Sequence, residues 1–353
     1  MDAVAIRRGE TAPTVVEKPR PEPAPGEALV RTLRVGVDGT DREVVADSEG
    51  RFPAGEDHLV LGHEAVGVGV DGNGTDLSTG TVVAPTVHRP RGGGSNDYFD
   101  RGEPEMAPPE AVLERGIHGA HGFMADYVTS PEQYLVPMPD RLAANGFLVE
   151  PLSVVQKALE HVRASRSTFE WQPESALVLG CGSLGLLALA TLDGVERTYC
   201  LDRRDRSDPA VELVEQLGAT YVDARDTSVA EVADAHEPMN LVLEATGHAP
   251  HAFAGIEALA PTGALALLGL PSDATFEIDG GQLHRDLVVN NEAVVGSVNA
   301  GVDHARAAVD SLAGLSEEFL DEFVTDVHGP DAVDRALAPN ESAIKSAVEL
   351  GQL

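Results

Sequence analysis

Two sets of residues in this chain of 353 are of types and spacings that could carry chemistry. The first is compact. Gly180-Cys181-Gly182-Ser183-Leu184-Gly185 fits G-x-G-x-x-G, follows the apolar run 175–180 and opens the apolar run 184–192. Between a strand and a helix this pattern holds the pyrophosphate of a dinucleotide. Gly180 permits the tight turn, Gly182 lets backbone approach the phosphates, and Gly185 lets helix pack on strand. The helix N-terminus adds free N–H groups and a positive dipole. A bare turn with three glycines is the alternative. Asp202 closes the next apolar run, where a carboxylate would bind ribose hydroxyls and favour NAD. Arg203 and Arg204 follow at once, and guanidinium forks suit the 2′-phosphate of NADP. The two signals conflict. The expectation is that both cofactors work, with a modest preference for NADP, unless Arg203, Arg204 and Arg206 form only a solvated cluster.

The second set is dispersed: Asp38 before Gly39-Thr40-Asp41, then His63-Glu64, then Glu150-Pro151. Aspartate, histidine and glutamate are competent zinc ligands, and a catalytic zinc takes three protein groups and keeps one open position. Spacing alone does not join these residues, and a lone histidine before a strand is equally a satisfied polar residue. Cys181 and Cys200, the two cysteines, have neither CxxC spacing nor a disulfide framework. His58, His118 and His121 read as surface or loop histidines.

These groups need elements to position them. The first 150 residues read as short strands joined by Gly, Pro and Asp turns, with 26–37 and 63–70 as β segments. Residues 89–115 are rich in Gly, Pro and charge and read as a long loop. From 147 to 162 apolar residues recur at three- and four-residue spacing, as in a helix. The middle of the chain alternates apolar strands (175–180, 198–202, 219–223, 241–247, 264–271, with 293–299 as a last one) with helical stretches. Strands apolar on both faces imply a parallel, doubly wound sheet. The tail, from about 302, contains helical stretches that could return to the first domain.

The net charge is −33, from 58 acidic and 25 basic residues, and Lys18, Lys157 and Lys345 are the only lysines. Carboxylates are spread along the chain, which argues against a disordered acidic tail. A dispersed acidic surface repels itself in dilute buffer and is screened by salt, so a protein suited to molar salt is expected. The same charge argues against nucleic acid or anionic membranes as partners. No apolar run is long enough for a bilayer span and the start lacks a secretion signal, so a cytoplasmic location is expected.

The order VGVDGTD, LGHEAVGV, Glu150-Pro151-Leu152, GCGSLG resembles the medium-chain alcohol dehydrogenase superfamily. Within it the chain looks most like the archaeal, and in particular the haloarchaeal, glucose dehydrogenases. ERGIHGAHGFM, TSPEQYLV, TYCLDRRDR, EATG and GSVN extend the likeness over essentially the whole chain.

The resemblance implies an α/β chain with two domains. A GroES-like β-rich catalytic domain that holds zinc spans 1–155 with 296–353, and a Rossmann doubly wound dinucleotide-binding domain spans 156–295. It implies oxidation of glucose and related aldoses at C1 to the lactone, with hydride transfer to NADP or NAD. Asp38 stands where most relatives have a zinc cysteine, which makes a harder ligand set. His63 matches the zinc histidine, and Glu64 and Glu150 match carboxylates that meet the metal directly or through water. Thr40 matches the hydroxyl that touches substrate and relays its proton. Glu114, Glu150 and Asn299 match sugar contacts. Gly180, Gly182, Ser183, Leu184, Gly185, Asp202, Arg203, Arg204, Leu268, Gly269, Leu270, Ser297, Val298 and Asn299 are the expected cofactor contacts. The four-cysteine lobe of the superfamily would fall at about 89–115, where no cysteine occurs, so one catalytic zinc and no structural zinc are expected. A homo-oligomer, dimer or tetramer, is implied as well. The rival readings are a polyol or secondary-alcohol dehydrogenase of the same fold, and a non-catalytic dinucleotide-binding redox sensor.

Overall fold

The computed structural model describes residues 1–192, 194–340 and 342–353. Its contacts divide into two compact units, Met1–Ser153 with Ala300–Leu353, and Val154–Asn299. The expected cut at 295/296 would pass through the strand Ala293–Gly296, which is paired into the sheet of the second unit. The division falls after Asn299 instead.

The spine of the first unit is the strand Glu27–Val37, whose side chains are buried at most positions. It pairs antiparallel with Glu64–Asp71, Tyr127–Pro131 and Ser346–Glu349. Leu135–Met138 and Val82–Pro85 extend the sheet on one side and Asp326–His328 on the other, giving seven strands. Strands buried this completely are rich in Val, Leu and Ala because both faces meet apolar neighbours. Val4, Ile6, Val35, Leu59, Leu61, Phe123 and Met124 form the centre of that core. The tail supplies the strands Asp326–His328 and Ser346–Glu349 besides the helices Val302–Gly314, Glu317–Phe323 and Val333–Leu337.

Residues 89–115 are not a structureless loop. His88–Pro90 pairs antiparallel with Val112–Arg115, and Gly119–Ala120 lies alongside. Between them stand a short helix, Asp97–Asp100, capped by the Asn96 side chain, and a 3-10 turn, Pro104–Met106. Strands of three and four residues are too short to show a period of two. Side chains tie the turns: Arg91 Nη2 donates to the carbonyls of Pro109 and Val112, and Asn96 Nδ2 to that of Ala111.

In the second unit six parallel strands run in the order Thr220–Asp223, Arg197–Asp202, Ser175–Leu179, Met239–Glu244, Leu259–Leu267, Ala293–Gly296. The first strand in sequence sits near the middle and the order reverses beside it, which is the switch point where nucleotides bind in such sheets. Ser175–Leu179 is buried at all five positions. Among the described residues no helix is long and apolar enough to cross a membrane.

Candidate active site

The metal-competent residues of the first unit converge. Ligand atoms of Asp38, His63 and Glu64 lie within 4.8 Å of one another. Local rules aim the first of them. Asp38 is the N-cap of the helix Gly39–Ala46: its Oδ1 accepts from Asp41 N at 3.1 Å, and Asp41 Oδ2 accepts from Asp38 N at 3.1 Å. This reciprocal cap satisfies two N–H groups that a helix start leaves free. It also turns Asp38 Oδ2 toward His63 Nε2, 3.7 Å away, and Asp41 Oδ1 toward His63 Nδ1, 3.4 Å away. Asp41 is fully buried, and its Oδ1 and His63 Nδ1 face each other as an ion pair, neither atom having a hydrogen-bond partner among the described residues. A carboxylate behind a histidine fixes its tautomer and raises its basicity as a ligand. Thr40 Oγ1 donates to Asp38 Oδ2 at 3.2 Å.

Long-range pairing brings in Glu64. It faces Gly36 across the sheet, and a Cβ on Gly36 would overlap its carboxylate and the Phe147 ring. The buried Lys345, next to the tail strand, donates from Nζ to Glu64 Oε1 at 2.7 Å. Glu150 opens the helix Val149–Arg166.

Charges in the pocket act on one another. Burial pushes the Glu150 carboxyl up to about 7; Glu64 and Asp38 add to this, while His63 and Lys345 oppose it. Burial would also raise Asp38, but the His63 ring, Lys345 and the Asp41 N–H hold it below the usual carboxylate range. Burial works against a charged His63, yet Asp41 and Asp38 keep its pKa well above the ordinary value. The pocket thus collects acceptors around a proton on an imidazole, and a divalent cation displaces such protons. The donor set of one imidazole and several carboxylates, with a carboxylate behind the imidazole, fits zinc.

Glu114 stands elsewhere in the unit, on Val112–Arg115 opposite His88, with Oε1 3.6 Å from His88 Nε2. His88 is buried and, among the described residues, neither ring nitrogen has a hydrogen-bond partner. It shares with Glu150, Thr86 and Ser153 a small cavity of about 20 Å³. A second cluster, Glu56, His58 and His121, also has metal-ligand types. There the Lys18 ammonium already stands 2.7 Å from His58 Nε2 and 3.1 Å from His121 Nε2, filling the space an ion would take.

The nucleotide residues of the second unit form a turn of the expected kind. Gly180 has φ +100° and donates to Leu201 O. Gly182 caps the helix Ser183–Ala190, and a Cβ there would meet nothing within 4 Å. A Cβ on Gly185 would overlap the Gly180 carbonyl, so helix and turn touch through bare backbone. Ser183 Oγ is buried without a partner at that helix start. Free space and unspent donors at a helix N-terminus fit phosphate. Leu184 follows in the first turn of the helix.

Asp202 does not offer a free carboxylate. Its Oδ2 accepts from Cys181 N at 2.8 Å, and its Oδ1 accepts from Arg203 N at 2.6 Å and Arg204 N at 3.1 Å. Leu268 N and Gly269 N donate to Glu244 O, and Leu270 is exposed. Ser297 N donates to Leu267 O, Val298 O accepts from Lys157 Nζ at 2.9 Å, and Asn299 adopts φ +62°. Cys181 and Cys200 are buried and free. A cavity of about 660 Å³ in this unit is lined by Phe253, Phe276, Leu283, Asp279 and others and holds none of these residues.

Asp41, His88, Lys157, Glu244 and Lys345 were not among the expected site residues. The lysines carry a readable signal. Only three occur in so acidic a chain, and Lys157 and Lys345 are each 3% exposed, so both were spent inside.

Known proteins match this architecture. Residues 24–140 match the alcohol dehydrogenase GroES-like domain, and residues 143–350 match the glucose dehydrogenase C-terminus. A glucose 1-dehydrogenase of Halobacterium salinarum is 56% identical over 99% of both chains, and one of Haloferax mediterranei is 55% identical over 99% of both. The chain belongs to the glucose dehydrogenase family. A solved structure, Haloferax mediterranei glucose dehydrogenase in complex with NADP, Zn and gluconolactone, superposes with TM-score 0.95 at 55% identity over the whole of both chains. The family likeness therefore covers both units, and the GroES-like and Rossmann architecture is that of the medium-chain dehydrogenases.

Proposed function

We infer that this chain is a zinc-dependent, NADP-linked glucose 1-dehydrogenase that oxidises D-glucose at C1 to the lactone. The observation that carries this reading is the convergence of Asp38, His63 and Glu64 in one buried pocket, in a family whose Haloferax member binds NADP, zinc and gluconolactone.

In this reading the first unit holds the metal and the second the nucleotide. Asp38 and His63 would hold the zinc, with Glu64 and Glu150 available as further ligands, directly or through water. When bound, the zinc acidifies a hydroxyl placed against it, and the nicotinamide supplies the hydride acceptor. The chain's own residues handle the proton and the alignment. Thr40 takes the O1 proton and passes it toward solvent. Its hydroxyl rotates to do so, since at rest it donates to Asp38. Glu150 and Glu114 accept from sugar hydroxyls, and Asn299 adds a further contact. A polar site of this kind rejects an analogue that lacks a hydroxyl, because its buried groups go unpaired.

Ser183, the turn Gly180–Cys181–Gly182 and Gly185 seat the pyrophosphate. NADP is preferred over NAD but NAD is accepted, since the Asp202 carboxylate is engaged by three backbone N–H groups. Leu184, Leu268 to Leu270 and Ser297 to Asn299 border the rest of the dinucleotide. One catalytic zinc suffices: 89–115 has no cysteine, and strand pairing and arginine hydrogen bonds tie that lobe. A homo-oligomer is supported by the exposed Val288 and Val289 at the end of the helix Gly280–Val289 and by the exposed Val294 on the edge strand Ala293–Gly296, which leaves backbone groups for another copy. A reducing cytoplasm suits the two free cysteines.

The test is the absorbance of reduced nicotinamide on mixing protein, glucose and NADP in molar salt, with and without a zinc chelator. A signal that needs glucose and vanishes with chelator is expected. Silence with glucose, galactose and xylose but turnover of sorbitol or a simple secondary alcohol would transfer the chain to the polyol reading. Silence with every substrate and no stoichiometric zinc would leave a redox sensor.

A further inference from the structure

The turn after the strand Arg197–Asp202 must present a guanidinium to a phosphate, and in molar salt it receives little help from long-range attraction. At about 1 M salt the screening length is only about 3 Å. The arginine must therefore already be in place. The structure shows what holds it there.

Tyr221, on the neighbouring strand Thr220–Asp223, is 4% exposed. Its single O–H proton is shared between two carbonyls of the turn, Arg204 O at 2.6 Å and Asp202 O at 2.9 Å. From the other side, the Asp202 carboxylate accepts the N–H groups of Cys181, Arg203 and Arg204. The backbone of Asp202, Arg203 and Arg204 is thus gripped through its carbonyls by one side chain and through its N–H groups by another. Arg204 is further tied to Asp208, with Nη1 3.1 Å from Oδ2. Arg225 Nη2 reaches Arg204 O at 3.4 Å. Within this braced turn Arg203 is exposed, and among the described residues its guanidinium makes no ion pair. The braced backbone therefore carries an exposed arginine whose fork is unspent among the described residues.

We propose that Tyr221 is the positioning residue for 2′-phosphate recognition: its hydroxyl holds the Asp202–Arg203–Arg204 turn so that the Arg203 guanidinium meets the phosphate of NADP. The role deepens the NADP-linked reading and rests on it. The tyrosine touches no cofactor atom and works through the turn. Removing its hydroxyl leaves Asp202 O with only the Ala224 N–H and Arg204 O with only the longer Arg225 contact, and loosens the Arg203 backbone, which weakens only the part of the ligand that Arg203 meets.

The experiment is calorimetric binding of 2′,5′-ADP and 5′-AMP to the whole protein in molar salt, for the parent, Tyr221→Phe, Arg203→Ala and the double variant. The parent binds 2′,5′-ADP more tightly than 5′-AMP. Tyr221→Phe lowers 2′,5′-ADP affinity about tenfold, a change of 1.4 kcal/mol, and 5′-AMP affinity by less than about twofold. Arg203→Ala produces the same selective loss, and the double variant loses little more than either single one, as expected of residues acting as a unit. Equal loss for both nucleotides in Tyr221→Phe would make the hydroxyl merely structural and overturn the proposal. So would fully additive losses in the double variant, or an Arg203→Ala protein that keeps its preference. A parent protein with no preference for 2′,5′-ADP would instead overturn the NADP reading on which the proposal stands.

Discussion

Between Gly180 and Arg204 the nucleotide turn closes on two neighbouring strands, Ser175–Leu179 and Arg197–Asp202. The pocket at His63 draws Asp38, Glu64, Glu150 and Lys345 from widely separated stretches of chain. The turn works through backbone: glycines leave space, N–H groups face outward, and one carboxylate ties the loop. The pocket works through side-chain charge, with a lysine, a histidine and several carboxylates taken out of water together. A local, backbone-built site fails by steric overlap, whereas a non-local, charge-built site fails when a charge loses its partner. The two sites should therefore break independently and by different mechanisms.

The largest expected effect comes from taking the metal away. Chelation should abolish glucose oxidation, by about 10³-fold or more if the ion supplies several kcal/mol to the transition state. Binding of NADPH, followed by nicotinamide fluorescence, should persist in the chelated protein. If cofactor binding is lost along with turnover, the sites are not independent.

Next in size is the charge pair. Lys345→Met leaves the Glu64 carboxylate buried without its partner, and should cost the metal-free protein about 3–5 kcal/mol in urea unfolding. Adding Glu64→Gln should recover most of that loss. A single variant as stable as the parent would show that the pair contributes nothing to the fold.

Asp41→Asn keeps the shape of the helix cap but removes the charge behind His63. Zinc affinity, measured by competition with a chromophoric chelator, should fall about 10–100-fold. Unchanged affinity would reduce Asp41 to a helix cap.

The glycines sharpen the contrast from the other side. Gly185→Ala should destabilise the second unit by about 1–3 kcal/mol, because the new methyl overlaps the Gly180 carbonyl. Gly182→Ala should leave the melting temperature alone yet weaken NADP binding, since its Cβ meets no protein atom and fills the space kept for phosphate. Equal effects on folding would contradict the geometry.

A further expected effect is a pH dependence of the metal pocket. The Glu150 carboxyl is pushed by burial from an ordinary 4.5 up to about 7. Between these values the folded, metal-free chain holds a proton that the unfolded chain has released. Below about pH 4.5 the group costs nothing, and stability falls as pH rises toward about 7. The melting temperature of the chelated protein should drop across that window, and Glu150→Gln should flatten the drop. An equal drop in both proteins would assign it to other groups.

The same contrast governs how much was legible beforehand. The strand–turn–helix at Gly180 and the run ending at Asp202 could be read from sequence because each element is short and its partner is near. Asp202 itself was read ambiguously, as a ribose ligand competing with two arginines. Its carboxylate turned out to be engaged by the turn's own N–H groups. Residues 89–115 look like loop in sequence because strands of three and four residues leave no periodicity. His88 stands just before that stretch, and its nearness to Glu114 shows only once the ladder sets the two opposite each other.

The sequence by itself determined the parallel sheet of the second unit, the glycine turn, the acidic surface and the types of metal ligand available. Each depends on local pattern or bulk composition: apolar runs bounded by turns, glycine where backbone must touch backbone, and carboxylates far outnumbering cations. Only the tertiary structure decided that Asp41 backs His63, that Lys345 neutralises Glu64, that Gly36 makes room for that carboxylate, and that Tyr221 grips the turn bearing Arg203. These contacts join residues distant in the chain or on neighbouring strands. No spacing rule encodes them, because the register that brings them together is set by the packing of whole sheets.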